Sequence, residues 1–175
     1  MNQFNLISTI LQEHSKAQCN KIIEWVGDDQ KRFDELFNLF LNGEYRVAQR
    51  AAWPVSYCVK QHSKFIKKHF GALIKNLHKP GIHNAIKRNT LYILQEIEIP
   101  EKYQGEVMHR CFQYVASPTE AIAIKAYSLT VLGYLAKLYP EILPEIKWLI
   151  EKQLPNQTSA FKSRAKHLLK SFENL

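Results

Sequence analysis

The sequence has few of the local features that catalytic sites, membrane spans and β-sheets require. Its six glycines are scattered, so it has no Gly-rich phosphate-binding loop. No apolar run approaches the ~18 residues of a membrane-spanning helix, and no hairpin turn separates alternating apolar runs. The N-terminal residues lack the pattern of a signal peptide, so we expect a cytoplasmic protein without a membrane anchor.

Residues that hold metals or perform acid–base chemistry are also sparse. The three cysteines, Cys19, Cys58 and Cys111, include no Cys-x-x-Cys pair, and their apolar surroundings predict buried thiols. No two of the seven histidines are spaced one helical turn apart as His-x-x-x-His. We therefore predict no cofactor and no metal. The sequence does not decide whether the chain is an enzyme, but it favours a non-enzymatic role.

The only aspartates, Asp28, Asp29 and Asp34, cluster near one predicted turn. Their carboxylates are expected to cap the helix that follows, since anions stabilise a helix N-terminus. This role accounts for the cluster without a catalytic function.

Helical periodicity covers nearly the whole chain and is interrupted by Pro- or Gly-containing turns. Pro54 lies within one of the predicted helices, where it predicts a kink or, alternatively, a break at Trp53. The predicted helices are 3–12, 15–26, 30–41, 44–61, 64–78, 82–98, 101–116, 119–138, 141–153 and 158–173.

The second helix of each successive pair shares one pattern at a spacing of 33 to 38 residues. A small residue recurs in it, which allows two helices to cross closely. An apolar residue usually follows four positions later and a basic residue usually precedes by three. The small residues are Cys19, Ala52, Thr90, Ser128 and Ala165.

This pattern resembles the second helix of HEAT repeats, most closely at Ile124-Lys125-Ala126-Tyr127-Ser128-Leu129-Thr130-Val131-Leu132-Gly133. The resemblance implies an all-α fold, a right-handed α-solenoid of about five helix pairs, in a single domain over residues 1–175. It also implies an aspartate partner for each basic residue, which the turns before these helices lack. Lys87, Lys125 and Lys162 are therefore expected to be exposed lysines covering apolar surface, or part of a binding face.

Charge is unevenly distributed along the chain, whose net charge is +8. Residues 45–95 contain ten basic side chains and no acidic one. Because like charges repel, this stretch predicts an anionic partner or a strongly solvated face.

Two groups of residues are candidates for binding. Arg50, Trp53 and Tyr57 share one helix face. The resemblance to HEAT repeats implies that consecutive second helices lie side by side, which places Arg88 beside Arg50. The alternative to a binding face is that Trp53 and Tyr57 are core residues and that the arginines are simply solvated. The predicted binding face comprises Arg50, Trp53, Tyr57, Arg88, Tyr92 and Lys125, and the secondary basic face comprises Lys60, Lys64, Lys67, Lys68 and Lys75.

The repeat pattern favours a scaffold that binds an anionic or acidic macromolecule, with a protein or a nucleic acid as the partner. The alternative is a nucleic-acid-binding protein similar in fold to HEAT-like DNA-alkylation-repair proteins. A small enzyme or a lyase-like chaperone on the same scaffold is a third possibility, which no residue supports. The sequence does not predict an oligomeric state.

Overall fold

The computed structural model describes residues 4–156 and 158–172, and the regular structure within these residues is entirely helical. This confirms the predicted all-α class for the described part of the chain. Among these residues, no helix combines the length and the apolar character that a membrane-spanning segment needs. The α-helices are α1 (Leu6–Gln12), α2 (Lys16–Val26), α3 (Gln30–Asn42), α4 (Tyr45–Gln61), α5 (Phe70–Asn76), α6 (Asn84–Glu96), α7 (Glu101–Ala116), α8 (Ile122–Ala136), α9 (Leu143–Gln153) and α10 (Ser159–Ser171). Short 3₁₀ helices occupy Ser63–His69, Pro140–Ile142 and Leu154–Asn156.

Side-chain caps mark the start of five of these helices. The first backbone N–H groups of a helix have no partner within it, and a side-chain acceptor just before the helix satisfies them. Asp29 accepts from the N–H groups of Lys31 and Arg32, which confirms the predicted cap of α3. The capping residues are Asn5, Ser15, Asp29, His83 and Thr158.

Helix α4 continues through Pro54, so the alternative of a helix that breaks at Trp53 is wrong. A proline removes one backbone hydrogen bond from a helix interior. Here α4 packs against α1, α2, α3 and α6, and this burial stabilises the helix despite the missing bond. Pro54 itself is buried.

The predicted helix 64–78 is instead the 3₁₀ helix Ser63–His69 followed by α5. Its apolar residues are buried as the pattern predicted, but the backbone of the first half differs. The side chain of Gln30 in α3 donates to the carbonyl oxygen of Phe65 at 3.2 Å, an acceptor that a continuous α-helix would use for itself. This contact is tertiary, so no local pattern shows it.

The chain forms two compact units, Met1–Ile97 and Glu98–Leu175. In the first, α4 is central and packs side by side with α2 and with α6. Phe33 and Phe65 stack at 4.9 Å between ring centroids within its core. The arrangement of second helices as neighbours is therefore confirmed within this unit. One domain over residues 1–175 stays a prediction.

In the second unit α8 is central and packs against α7, α9 and α10. Its lysine, Lys125, donates to Gln153 Oε1 at 2.9 Å, and Gln153 in turn donates to the carbonyl oxygen of Val115. The five small residues of the repeat pattern are all buried, as close helix crossing requires. They are Cys19, Ala52, Thr90, Ser128 and Ala165.

Candidate functional site

One side of α4 carries a row of basic and aromatic side chains. Their spacing of three or four residues places them on a single helix face. Arg46 and Tyr57 are exposed, whereas Arg50 and Trp53 are half-buried. The row consists of Arg46, Arg50, Trp53, Tyr57 and Lys60.

The aromatic rings of this row continue across to α6. Trp53 and Tyr57 meet edge to face, with ring centroids 6.3 Å apart, and Tyr57 stacks on Tyr92 at 6.1 Å and an interplanar angle of 21°. At the other end, the His14 ring lies 5.8 Å from that of Trp53. We call His14, Trp53, Tyr57 and Tyr92 the aromatic row. The structure thus brings together the three aromatic residues predicted for the binding face.

Lys60 of α4 lies next to Tyr92, the residue of α6 at which the aromatic row ends. Its Nζ lies 3.0 Å from the Tyr92 hydroxyl, 3.2 Å from Glu96 Oε1 and 5.4 Å from the centroid of the Tyr92 ring. The hydrogen bond with Tyr92 and that with Glu96 raise the pKa of Lys60 to about 12. Lys60 therefore stays charged at neutral pH, and the Glu96 carboxylate balances much of that charge.

Arg50 has a structural contact that the sequence does not predict. Its Nη1 donates to the carbonyl oxygens of Ile10 at 3.3 Å and Leu11 at 2.7 Å. These carbonyls belong to the last turn of α1, where acceptors lack helical partners and a cation is favourable. Arg50 therefore holds α1 onto α4, which restricts its availability to a partner.

Arg88 and Lys125 have contrasting environments. Arg88 is exposed on α6, one turn before Tyr92, and so shares a face with the aromatic row. Burial and, to a lesser extent, the charge of Arg88 lower the pKa of His83. Lys125, by contrast, was expected to be exposed but is only 3% exposed. It is buried because its ammonium group bonds inward to Gln153. Desolvation by burial lowers the pKa of Lys125.

The secondary basic face is partly neutralised by acids from other helices. Asp34 of α3 accepts from Lys68 Nζ and lies within hydrogen-bond distance of His69 Nε2, both at 2.6 Å. Lys60 pairs with Glu96, as described above. The expectation that the charges of residues 45–95 are unneutralised is thus corrected. This stretch contains no acidic residue, but the fold brings Asp34 and Glu96 from outside it next to Lys68 and Lys60. Lys64 and Lys67 are exposed on the 3₁₀ helix, and Lys75 is exposed on α5.

Three residues that contact the predicted binding residues were not predicted to do so from the sequence. His14 lies in the turn between α1 and α2, and Glu96 ends α6. Asp34 lies inside α3 and bonds to the 3₁₀ helix, which corrects its expected capping role, since Asp29 caps α3. No spacing within the sequence pairs them with their contacts, because each contact joins different repeats or a turn with a helix.

The aromatic row adjoins only a small crevice, and the cysteine thiols are buried. A crevice of about 10 Å³ beneath Trp53 is lined by residues such as Gln18 and Arg50. That volume holds about one water molecule. Burial raises the pKa of each of the three cysteine thiols to about 12, consistent with the predicted buried thiols and unfavourable for nucleophilic thiolate.

Comparison with known proteins identifies a family. A family model described as a HEAT repeat domain matches residues 6–172, from the first residue of α1 to one residue beyond α10. No curated protein and no solved structure matches the chain.

Proposed function

The chain belongs to the HEAT repeat family, and we propose that it is a non-enzymatic helical scaffold that binds an acidic protein through the aromatic row and its flanking cations. The observation that carries this proposal is the partly exposed contact series from Trp53 through Tyr57 to Tyr92. Trp, Tyr and Arg dominate the residues that contribute most to protein–protein binding. A rigid row of these rings loses little side-chain entropy when a partner covers it.

The charges beside the row favour an acidic partner. Arg46 and Arg88 are exposed, and neither forms an ion pair with a described residue. Burying an unpaired guanidinium at an interface is costly unless the partner supplies a carboxylate. The crevice under Trp53 is too small for a substrate, which supports a surface-binding role over a pocket-based one.

A peptide-display selection tests this proposal. A random 12-residue library is panned on the intact protein, on Tyr57→Ala and on Arg88→Glu. We expect enrichment of Asp and Glu beside apolar residues on the intact protein, and at least a tenfold loss of affinity for the selected peptides in either variant, about 1.4 kcal/mol.

Tyr134→Ala provides the matched control, because Tyr134 is 47% exposed on α8, compared with 38% for Tyr57. The control should bind the selected peptides as the intact protein does. Peptides without acidic enrichment, or equal losses in Tyr57→Ala and Tyr134→Ala, would contradict the proposal.

Binding of single-stranded nucleic acid is the second candidate, favoured by the near-parallel Tyr57 and Tyr92 rings beside Lys60 and Arg88. Aromatic side chains next to cations form stacking platforms for bases. If three cations neutralise phosphates, raising salt from ~50 to ~200 mM should weaken binding about 20-fold. A shift assay with a thymidine oligonucleotide measures this, and absent or salt-insensitive binding rules it out. To test the contribution of the cations, the double variant Arg46→Glu/Arg88→Glu is preferable to a variant at Arg50, because Arg50 also holds α1 onto α4.

A further inference from the structure

A second charged surface of the first unit lies on the segment 63–79, which contains no residue of the aromatic row. The segment consists of the 3₁₀ helix Ser63–His69, α5 and the turn that follows. Its large apolar side chains are buried, as Phe65 and Leu73 illustrate, and lysines occupy many of its exposed positions. We call these exposed lysines the lysine ridge, which comprises Lys64, Lys67, Lys68, Lys75 and Lys79.

Most of the charge on the lysine ridge has no counter-charge within the described part of the chain. Lys68 pairs with Asp34 at 2.6 Å, which balances one ammonium group. Lys79 Nζ donates to the carbonyl oxygen of Leu41, a neutral acceptor that leaves the charge in place. The other lysines of the ridge form no ion pair with any described residue. The unbalanced ammonium groups are those of Lys64, Lys67, Lys75 and Lys79.

The backbone holds two of these unbalanced charges on one edge of a helix. In a 3₁₀ helix, side chains three residues apart eclipse each other, so Lys64 and Lys67 lie one above the other along Ser63–His69. Like charges at neighbouring positions of a helix surface destabilise it. An anion that binds beside both ammonium groups removes this repulsion, so the folded chain favours an anionic partner at this surface.

The side chains around the lysine ridge select among anionic partners. The rings of Phe65 and Phe70 are buried, so the bases of a single strand have no ring on which to stack. Within the segment 63–79 no large apolar side chain is exposed for insertion into a bilayer. The segment also contains no Tyr, Trp or Arg, the residue types that protein interfaces favour over lysine. Its point charges are suited instead to the phosphates of a duplex.

We propose that the lysine ridge binds the phosphate backbone of double-stranded nucleic acid without reading its base sequence. The rise per residue of its two helices gives the ridge a length of roughly 25 Å, which corresponds to about seven base pairs. Bases are read mainly by Arg, Asn and Gln side chains. Of these types the segment 63–79 contains Asn76 alone, which is buried. The duplex is therefore held by charge, at a surface that shares no residue with the acidic-protein site.

Fluorescence anisotropy of the full chain with a labelled DNA duplex of about 20 base pairs tests the proposal. At ~50 mM salt we expect a Kd of about 1 µM, with equal values for two duplexes of unrelated sequence. If four lysines neutralise phosphates, raising the salt to ~200 mM should weaken binding about 150-fold. Absent or salt-insensitive binding overturns the proposal, as does a preference for one sequence or tighter binding to vesicles that contain phosphatidylserine.

Matched double variants locate the binding on the chain. Lys64→Gln/Lys67→Gln leaves two phosphate contacts, so the loss of affinity between ~50 and ~200 mM salt should fall to about 12-fold. Lys166→Gln/Lys170→Gln removes the same charge from exposed positions of α10, and the loss should stay at about 150-fold. Equal effects of the two double variants would show that net charge alone governs binding, and would overturn the proposal.

Discussion

Replacement of Asp34 by Asn should lower the free energy of unfolding, because the Asp34 carboxylate joins α3 to the 3₁₀ helix. It accepts from Lys68 Nζ and contacts His69 Nε2, both at 2.6 Å, and accepts from Gln30 Nε2 at 2.9 Å. His69 also packs on Phe37, with ring centroids 4.6 Å apart. The carboxylate therefore positions one edge of the aromatic core.

The pKa of Asp34 sets the magnitude. Burial acts to raise it, but hydrogen bonds from Lys68, His69 and Gln30 outweigh burial and lower the pKa from 3.8 to about 2. A shift of nearly two units corresponds to about 2.4 kcal/mol. The side chain is 30% exposed, so solvent screening reduces this, and we expect about 1–2 kcal/mol at pH 7.

Urea denaturation followed by helical circular dichroism, repeated across pH, measures the effect. Because the pKa is lower in the folded state, the stabilisation is complete above pH 3.8 and disappears as the pH falls toward 2. The stability difference between the wild type and Asp34→Asn should shrink over that interval. Asp28→Asn, an equal charge change at an exposed site, should cost less than about 0.5 kcal/mol. Equal stabilities of the wild type and Asp34→Asn at pH 7, or an equal loss in Asp28→Asn, would refute the reasoning.

Three further changes follow from the packing. Gly43→Ala should destabilise the protein by about 1–3 kcal/mol in a urea titration, since its Cβ would lie 2.5 Å from the carbonyl oxygen of Leu39. Gly105→Ala should instead stabilise α7 by up to about 1 kcal/mol, because nothing lies within 4 Å of the added Cβ, and a loss there would contradict the helix-propensity argument. Because burial lowers the pKa of Lys125, the unfolded state binds more protons below pH 10.5. The stability of the wild type relative to Lys125→Met should therefore rise as the pH is raised toward 10.5, and a fall over that range would be inconsistent with a desolvated lysine.

The helices and the positions of close helix packing were predictable because both follow from local periodicity. Apolar residues every three to four positions define a buried stripe whatever the rest of the chain does. The small residues Ala52, Thr90 and Ser128 are fully buried, as the requirement for close crossing predicted. The resemblance to HEAT repeats, and not the periodicity, predicted that the helices of Trp53, Tyr57 and Tyr92 are neighbours, and the structure shows their rings in contact.

One departure from the repeat pattern has a tertiary explanation. Ser56 lies four positions after Ala52, where the other second helices have an apolar residue. Its Oγ lies 3.0 Å from Asn89 Oδ1 and 2.8 Å from the carbonyl oxygen of Trp53. Its single proton can serve only one of these acceptors at a time. A buried hydroxyl requires such a partner, and Asn89 provides it from the same face of the next second helix.

By itself, the sequence determined the helical class, the repeat pattern, the buried stripes and the small residues at helix crossings, because these depend on spacing within one or two turns. Only the tertiary structure decided the state of each charge: Lys68 pairs with Asp34, Lys60 with Glu96, and Lys125 is buried against Gln153. These partners are 28 to 36 residues apart in sequence. Electrostatic energy depends on distance in space and on local solvation, and a charge pattern along the chain contains neither.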